Sequence, residues 1–177
     1  MKVLIIIAFR DYQDKEFIPV KDALDKQEIN YDVASTQKGL AKGVYDNTQN
    51  VSLILEEVLP KVQDYDCVVF IGGPGTPSVR RKTEAVKIAE NVYKNGKLVC
   101  AICWASTILA KAGILKNKKA TVWLGYDDEY QKQTSEVLEQ YGADFVNKDL
   151  VVDKNIITAN GPEAADKFAK EIIKHLI

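Results

Sequence analysis

Hydrophobic and polar positions follow two rhythms along the chain. Near-continuous apolar runs at 2–9 (KVLIIIAF), 66–73 (DCVVFIGG) and 97–103 (KLVCAIC) read as strands, as do shorter ones at 31–36 and 119–123. Between them, apolar residues return every three or four positions at 17–27, 51–62, 83–96, 105–113, 128–142 and 163–177, the period of a helix with one buried face. Gly96, Gly113 and Gly142 close three of these segments, where a left-handed cap belongs. The stretch 150–160 predicts two short strands around a turn at 153–155. Strands without alternation are those buried on both faces of a parallel sheet. Strand–helix alternation from end to end then predicts a doubly wound α/β sandwich with a mostly parallel central sheet. Ligands of such sheets bind beyond the carboxyl ends of the strands. Three unusual segments fall there: AFRDYQDKE, IGGPGTPS and ICWAS.

Length and charge narrow the picture. The 177 residues contain no linker and no repeat, so they are read as one domain, 1–177. Lysine and arginine (24) nearly balance aspartate and glutamate (25), which argues against a dedicated nucleic-acid partner. No apolar stretch approaches the ~20 residues of a membrane span, so no membrane partner is expected. MKVLIIIAF lacks a small-residue cleavage site and runs directly into RDYQDKE, so it reads as the first strand rather than a leader. Cys67, Cys100 and Cys103 are an odd number with no paired framework. Strand alternation sends the two cysteines of CAIC to opposite faces, so a reduced, cytoplasmic setting fits best.

The chemistry concentrates at Cys103, where a buried strand meets a helix with no turn residue between them. A nucleophile on such an elbow is held clear of the sheet, and the free N–H groups of the following turn face it. Those groups favour thiolate, so the thiol is expected below its free value of about 8.5. The other reading is an inert buried cysteine. In the glycine loop Gly72, Gly73, Pro74, Gly75, the backbone can approach a ligand closely. The Gly73 N–H, paired with that of Trp104, makes a candidate oxyanion hole, and Gly72 and Gly75 are candidate pocket residues. The loop has neither the lysine of a P-loop nor the spacing of a dinucleotide fingerprint, and no cofactor is expected. Glu16 can hold a proton beside the sulfur if buried; otherwise it is a solvated residue at a helix start. Trp104 and Trp123 are candidates for the pocket mouth; for Trp123 core or dimer-interface packing is the preferred reading. Arg80 and Arg81 read as a solvated helix start. Asp127, Asp128 and Glu129 read as the beginning of the helix at 128–142, and no metal is expected.

Taken together, YQDKEF, VVFIGGPGTPS, VCAICWASTILAKAGIL and NIITANGPEAADKFAKEI resemble the DJ-1/PfpI (ThiJ) superfamily in order and spacing over essentially the whole chain. The resemblance implies a flavodoxin-like three-layer sandwich of the class I glutamine-amidotransferase type, usually a homodimer or a higher homo-oligomer. It implies that Cys103 is the reactive cysteine, Glu16 its hydrogen-bonding acid, and Gly73 and Trp104 the oxyanion amides. One departure matters. PfpI-type members place a histidine directly after the cysteine, where this chain has Trp104; other members supply one from the segment that here holds Trp123. The single histidine, His175, lies in the last helix. A cysteine-peptidase mechanism needs an imidazole to carry the thiol proton to a leaving amine, so peptidase activity is not carried over. Two roles stay open: action on small reactive carbonyl compounds, of the glyoxalase or deglycase kind, and a redox sensor or binding module with Cys103 as the switch.

Overall fold

The computed structural model describes residues 1–177. Its central sheet has seven strands: β1 (Lys2–Ile6), β2 (Asn30–Ser35), β3 (Leu53–Ile54), β4 (Cys67–Phe70), β5 (Leu98–Ile102), β6 (Leu150–Asp153) and β7 (Ile156–Ala159). Their spatial order is β6-β7-β5-β4-β1-β2-β3, parallel throughout except for the β6–β7 hairpin. The helices are α1 (Asp14–Lys26), α2 (Leu55–Val58), α3 (Thr76–Arg80), α4 (Thr83–Lys94), α5 (Ser106–Lys111), α6 (Thr134–Gln140) and α7 (Ala165–Leu176). Helices α1 and α7 pack together over one part of the sheet, and α4 and α5 cover β4 and β5. β4 and β5 are buried along their whole length, as their unbroken apolar runs require. This is the α/β sandwich predicted from the alternation.

Two predicted helices are shorter than their apolar period suggests. At 51–62, Leu53 and Ile54 pair with Ala34 and Ser35 at the sheet edge, and the helix is confined to Leu55–Val58. The chain then tightens into a 3₁₀ turn, Leu59–Asp64, with Pro60 at its start, where a missing N–H costs no hydrogen bond. At 128–142 the helix starts only at Thr134. Tyr126–Asp127 instead pairs with Lys132–Gln133 in a small hairpin, which turns the Asp127 carboxylate inward, where it accepts from the N–H groups of Glu129 (3.1 Å) and Tyr130 (3.2 Å). A three-stranded accessory sheet, Arg10–Tyr12 with Gly39–Gly43 and Thr48–Val51, has too little apolar patterning to be read from sequence. The buried Asp14 ties it to the start of α1 by accepting from the N–H groups of Tyr45 (2.9 Å) and Asn47 (2.8 Å).

Candidate active site

Sheet register decides which segments meet. Ile6 of β1 is level with Phe70 of β4, and Phe70 with Ala101 of β5. The chain therefore leaves three adjacent strands at one edge, and the segments 7–13, 71–75 and 102–104 emerge side by side. Main-chain bonds stitch them: Gln13 N–H donates to the Gly72 carbonyl at 2.9 Å, and Gly75 N–H to the Asp11 carbonyl at 3.1 Å. Gly72 must be glycine, since a Cβ there would lie 2.6 Å from Cys103 Cβ and 2.7 Å from the Ile102 carbonyl oxygen. Gly73 turns the loop with φ +117°, a conformation that side chains resist.

Cys103 has φ 62° at the junction of β5 with a 3₁₀ turn, Cys103–Ala105, that leads into α5. This left-handed conformation disfavours non-glycine residues by about 1–2 kcal/mol and swings the sulfur out of the sheet plane. The side chain is 6% exposed. The N–H groups of Trp104 and Gly73 are directed at the sulfur. Glu16, in the first turn of α1, is fully buried. Its Oε2 accepts from Gly72 N–H at 3.0 Å. Its Oε1 is buried with no nitrogen or oxygen partner, and the group drawn to this carboxyl beside Gly72 is the Cys103 thiol. The solvated placement of Glu16 is thereby excluded.

Burial raises the Glu16 carboxyl to about 8, with the hydrogen bonds from Cys103 and Gly72 pulling the other way. At neutral pH it is a carboxylic acid. The thiol departs from expectation. Burial pushes Cys103 well above the ordinary range and an ionised Glu16 pushes it further, while the Trp104 and Gly73 amides act in the opposite direction. Desolvation outweighs two amides because the sulfur sits almost out of water. Below pH ~8 the charge repulsion from Glu16 disappears, since the carboxyl is then neutral, and its hydrogen bond with the thiol remains. The resting pair is a thiol beside an acid.

The sulfur opens into a cavity of about 190 Å³ lined by Gln13, Gly73, Pro74, Cys103, Trp104, Trp123 and Pro162. A wider cleft of about 520 Å³ adjoins it across Trp123 and Pro162. Gly72 and Gly75 lie behind the wall rather than in it: the first amide is used by Glu16 and the second by Asp11. Trp104 and Trp123 face each other at 5.5 Å between ring centroids. Trp123 is 38% exposed at the mouth, so its role is not core packing. The space a side chain at Gly125 would fill is taken by the Trp123 ring.

Arg80 is the largest correction. It is fully buried, not a solvated helix start. Its guanidinium meets the buried Asp127 carboxylate through two bonds, at 2.5 and 3.0 Å, and Glu129 at 2.6 Å. Burial works to raise Asp127, but the Arg80 bonds outweigh it and hold the carboxyl below the usual range. Asp127 also accepts from the Trp104 indole N–H at 2.7 Å. One signal was available: of three arginines in a lysine-rich chain, two stand together just past the glycine loop. Gln13 and Pro162 gave no such signal.

With this geometry in hand, relatives can be placed. Residues 1–175 match the DJ-1/PfpI family. The chain belongs to the DJ-1/PfpI family. An uncharacterized protein of Methanocaldococcus jannaschii is 34% identical over 98% of this chain and 81% of its own length. A deglycase of Pyrococcus abyssi is 32% identical over 99% of both. The crystal structure of a ThiJ/PfpI domain protein from Brachyspira murdochii superposes with a TM-score of 0.88 at 26% identity, covering 99% of this chain and 95% of that one. The lone histidine of this DJ-1/PfpI chain, His175, hydrogen-bonds the Glu171 carbonyl at 2.9 Å in α7 and lines a different cavity with Met1, Asp66 and Asn155. No imidazole lines the Cys103 cavity. No helix is long and apolar enough to cross a membrane.

Proposed function

We propose that the protein is a cysteine-dependent enzyme acting on small reactive carbonyl compounds, of the glyoxalase or deglycase type. The observation that carries this reading is the meeting of the Cys103 sulfur and the two N–H groups of Gly73 and Trp104 at one small cavity, with the acid of Glu16 buried against the sulfur outside the cavity lining. The deglycase name of the Pyrococcus relative supports the substrate class.

For a 2-oxoaldehyde, the sulfur adds to the aldehyde carbon. The S–C bond forms, the carbonyl π pair moves to oxygen, and the thiol proton reaches that oxygen through Glu16. The Gly73 and Trp104 amides hold the oxygen while it carries charge. One Glu16 oxygen then takes the proton from that carbon while its own acid proton passes to the neighbouring carbonyl oxygen, giving an enediol. The carboxyl next delivers a proton to the second carbon and takes the hydroxyl proton of the first, which leaves Glu16 an acid again, oxidises the first carbon to a thioester and reduces the second. Water releases the product from the resulting thioester. The sum is oxoaldehyde plus water giving a 2-hydroxy acid, with no external oxidant. One carboxyl thus does the proton work that an imidazole does elsewhere.

The same cradle favours a second reading as a peroxide sensor. Two equivalents of hydrogen peroxide convert the thiol to a sulfinic acid and leave two waters. The new oxygens accept from the same two amides and from the Glu16 acid. One pair of assays separates the readings. The enzyme reading expects the purified protein to consume methylglyoxal and Cys103→Ser to lose that activity. Absent turnover combined with peroxide oxidation of Cys103 alone, read by mass spectrometry, overturns it in favour of the sensor.

A further inference from the structure

Trp104 is held at both ends by one closed circuit of hydrogen bonds. Its indole N–H donates to Asp127, Asp127 binds Arg80, Arg80 donates to Thr107 Oγ1 at 2.9 Å, and Thr107 Oγ1 donates to the Trp104 carbonyl at 2.8 Å. Lys111 Nζ caps the carbonyl of Arg80 at 3.0 Å, and the Tyr130 ring lies 4.6 Å from the guanidinium carbon. Arg80, Thr107 and Asp127 are buried, and Trp104, Lys111 and Tyr130 are half-buried. We propose that Arg80 and Asp127 are positioning residues for the Cys103 site, acting through Trp104. Fixing the indole and the carbonyl of Trp104 fixes the residue between them, so its main-chain N–H stays on the sulfur and its ring stays in the cavity wall.

The energetics point the same way. A buried ion pair contributes little net stability, and apolar replacements of similar size are often neutral or stabilising. A pair kept for folding alone has no need to end on the residue that follows the nucleophile. The inference rests on Cys103 as the reacting atom; its turnover arm also rests on the carbonyl reading.

The test is the double variant Arg80→Met/Asp127→Leu, which removes both charges and leaves no orphaned ion, with Thr107→Val as a second break that keeps both. Methylglyoxal kinetics, the pH profile of Cys103 alkylation by iodoacetamide, and Trp104 emission in a Trp123→Phe background are read on each. Positioning expects a folded protein whose kcat falls about tenfold to a hundredfold with KM within about twofold. It also expects a shifted alkylation profile and a moved Trp104 emission maximum. A folded double variant with unchanged kcat and alkylation profile overturns the proposal, whatever the emission does, because Asp127→Leu removes the acceptor of the indole N–H in either case. If the double variant does not fold, Thr107→Val decides by the same criteria. If the parent protein turns over no carbonyl, the alkylation profile still decides, and that result counts against the enzyme reading alone.

Discussion

Replacing Glu16 with glutamine tests the protonated acid directly. Glutamine keeps the shape and can still accept from Gly72 N–H, but it cannot ionise. In the folded protein the Glu16 carboxyl holds its proton to about pH 8, against an ordinary value of 4.5. Between those values the folded chain keeps a proton that the unfolded chain has released. The stability this gives is complete below about pH 4.5 and is lost as pH rises to about 8. At 1.36 kcal/mol per pH unit, the gap amounts to about 5 kcal/mol. For a chain of this length that corresponds to about 10–20 °C in melting temperature. The assay is thermal unfolding of wild type and Glu16→Gln from about pH 5 to about pH 9. Subtracting the two removes every titration they share, including those of the ion-paired surface carboxylates. Wild type should lose ground steadily to the variant across this range. A difference that stays constant within about 1 kcal/mol would show that Glu16 ionises normally, and the proton relay built on it would fail.

Four further outcomes follow from the geometry. Turnover of methylglyoxal should decline above about pH 8 as Glu16 loses its proton, and a pH–kcat profile reads this directly. Gly72→Ala drives a methyl group against Cys103 Cβ and the Ile102 carbonyl, so it should cost several kcal/mol in urea unfolding or at least about a hundredfold in kcat. Native iodoacetamide labelling followed by peptide mapping should modify Cys103 and spare Cys67 and Cys100, whose sulfurs lie 3.9 Å apart in the closed core. His175→Gln should leave carbonyl turnover unchanged, because that side chain belongs to another cavity.

The layout of the sheet was legible because burial on both faces writes itself as unbroken valine and isoleucine runs. The elbow was legible for a related reason: the apolar run of β5 passes into a helical period without glycine or proline, so a single residue has to make the corner. Glu16 could not be settled from its neighbours, since an acid at a helix start looks the same whether it points to water or to a sulfur 87 positions away. The Arg80–Asp127 pairing was hidden for the same reason, and the paired arginines past the glycine loop were the one hint of it. Charged residues read locally as surface, and only the hairpin at 126–133, formed against the helical period, turns Asp127 inward. The thiol was misjudged because the sequence shows which amides face the sulfur but not how little water reaches it.

The three chemical parts come from the ends of β1, β4 and β5, and the bond between Gly72 and Glu16 spans 56 positions. None of them can be assembled from local contacts, so the site exists only after the middle of the parallel sheet has zipped together, the slow kind of event in folding. A partly formed or kinetically trapped molecule carries the same three thiols with none of their special surroundings. The character of the sulfur at 103 is therefore acquired only with the assembled sheet, and it serves as a built-in certificate that these strands have paired.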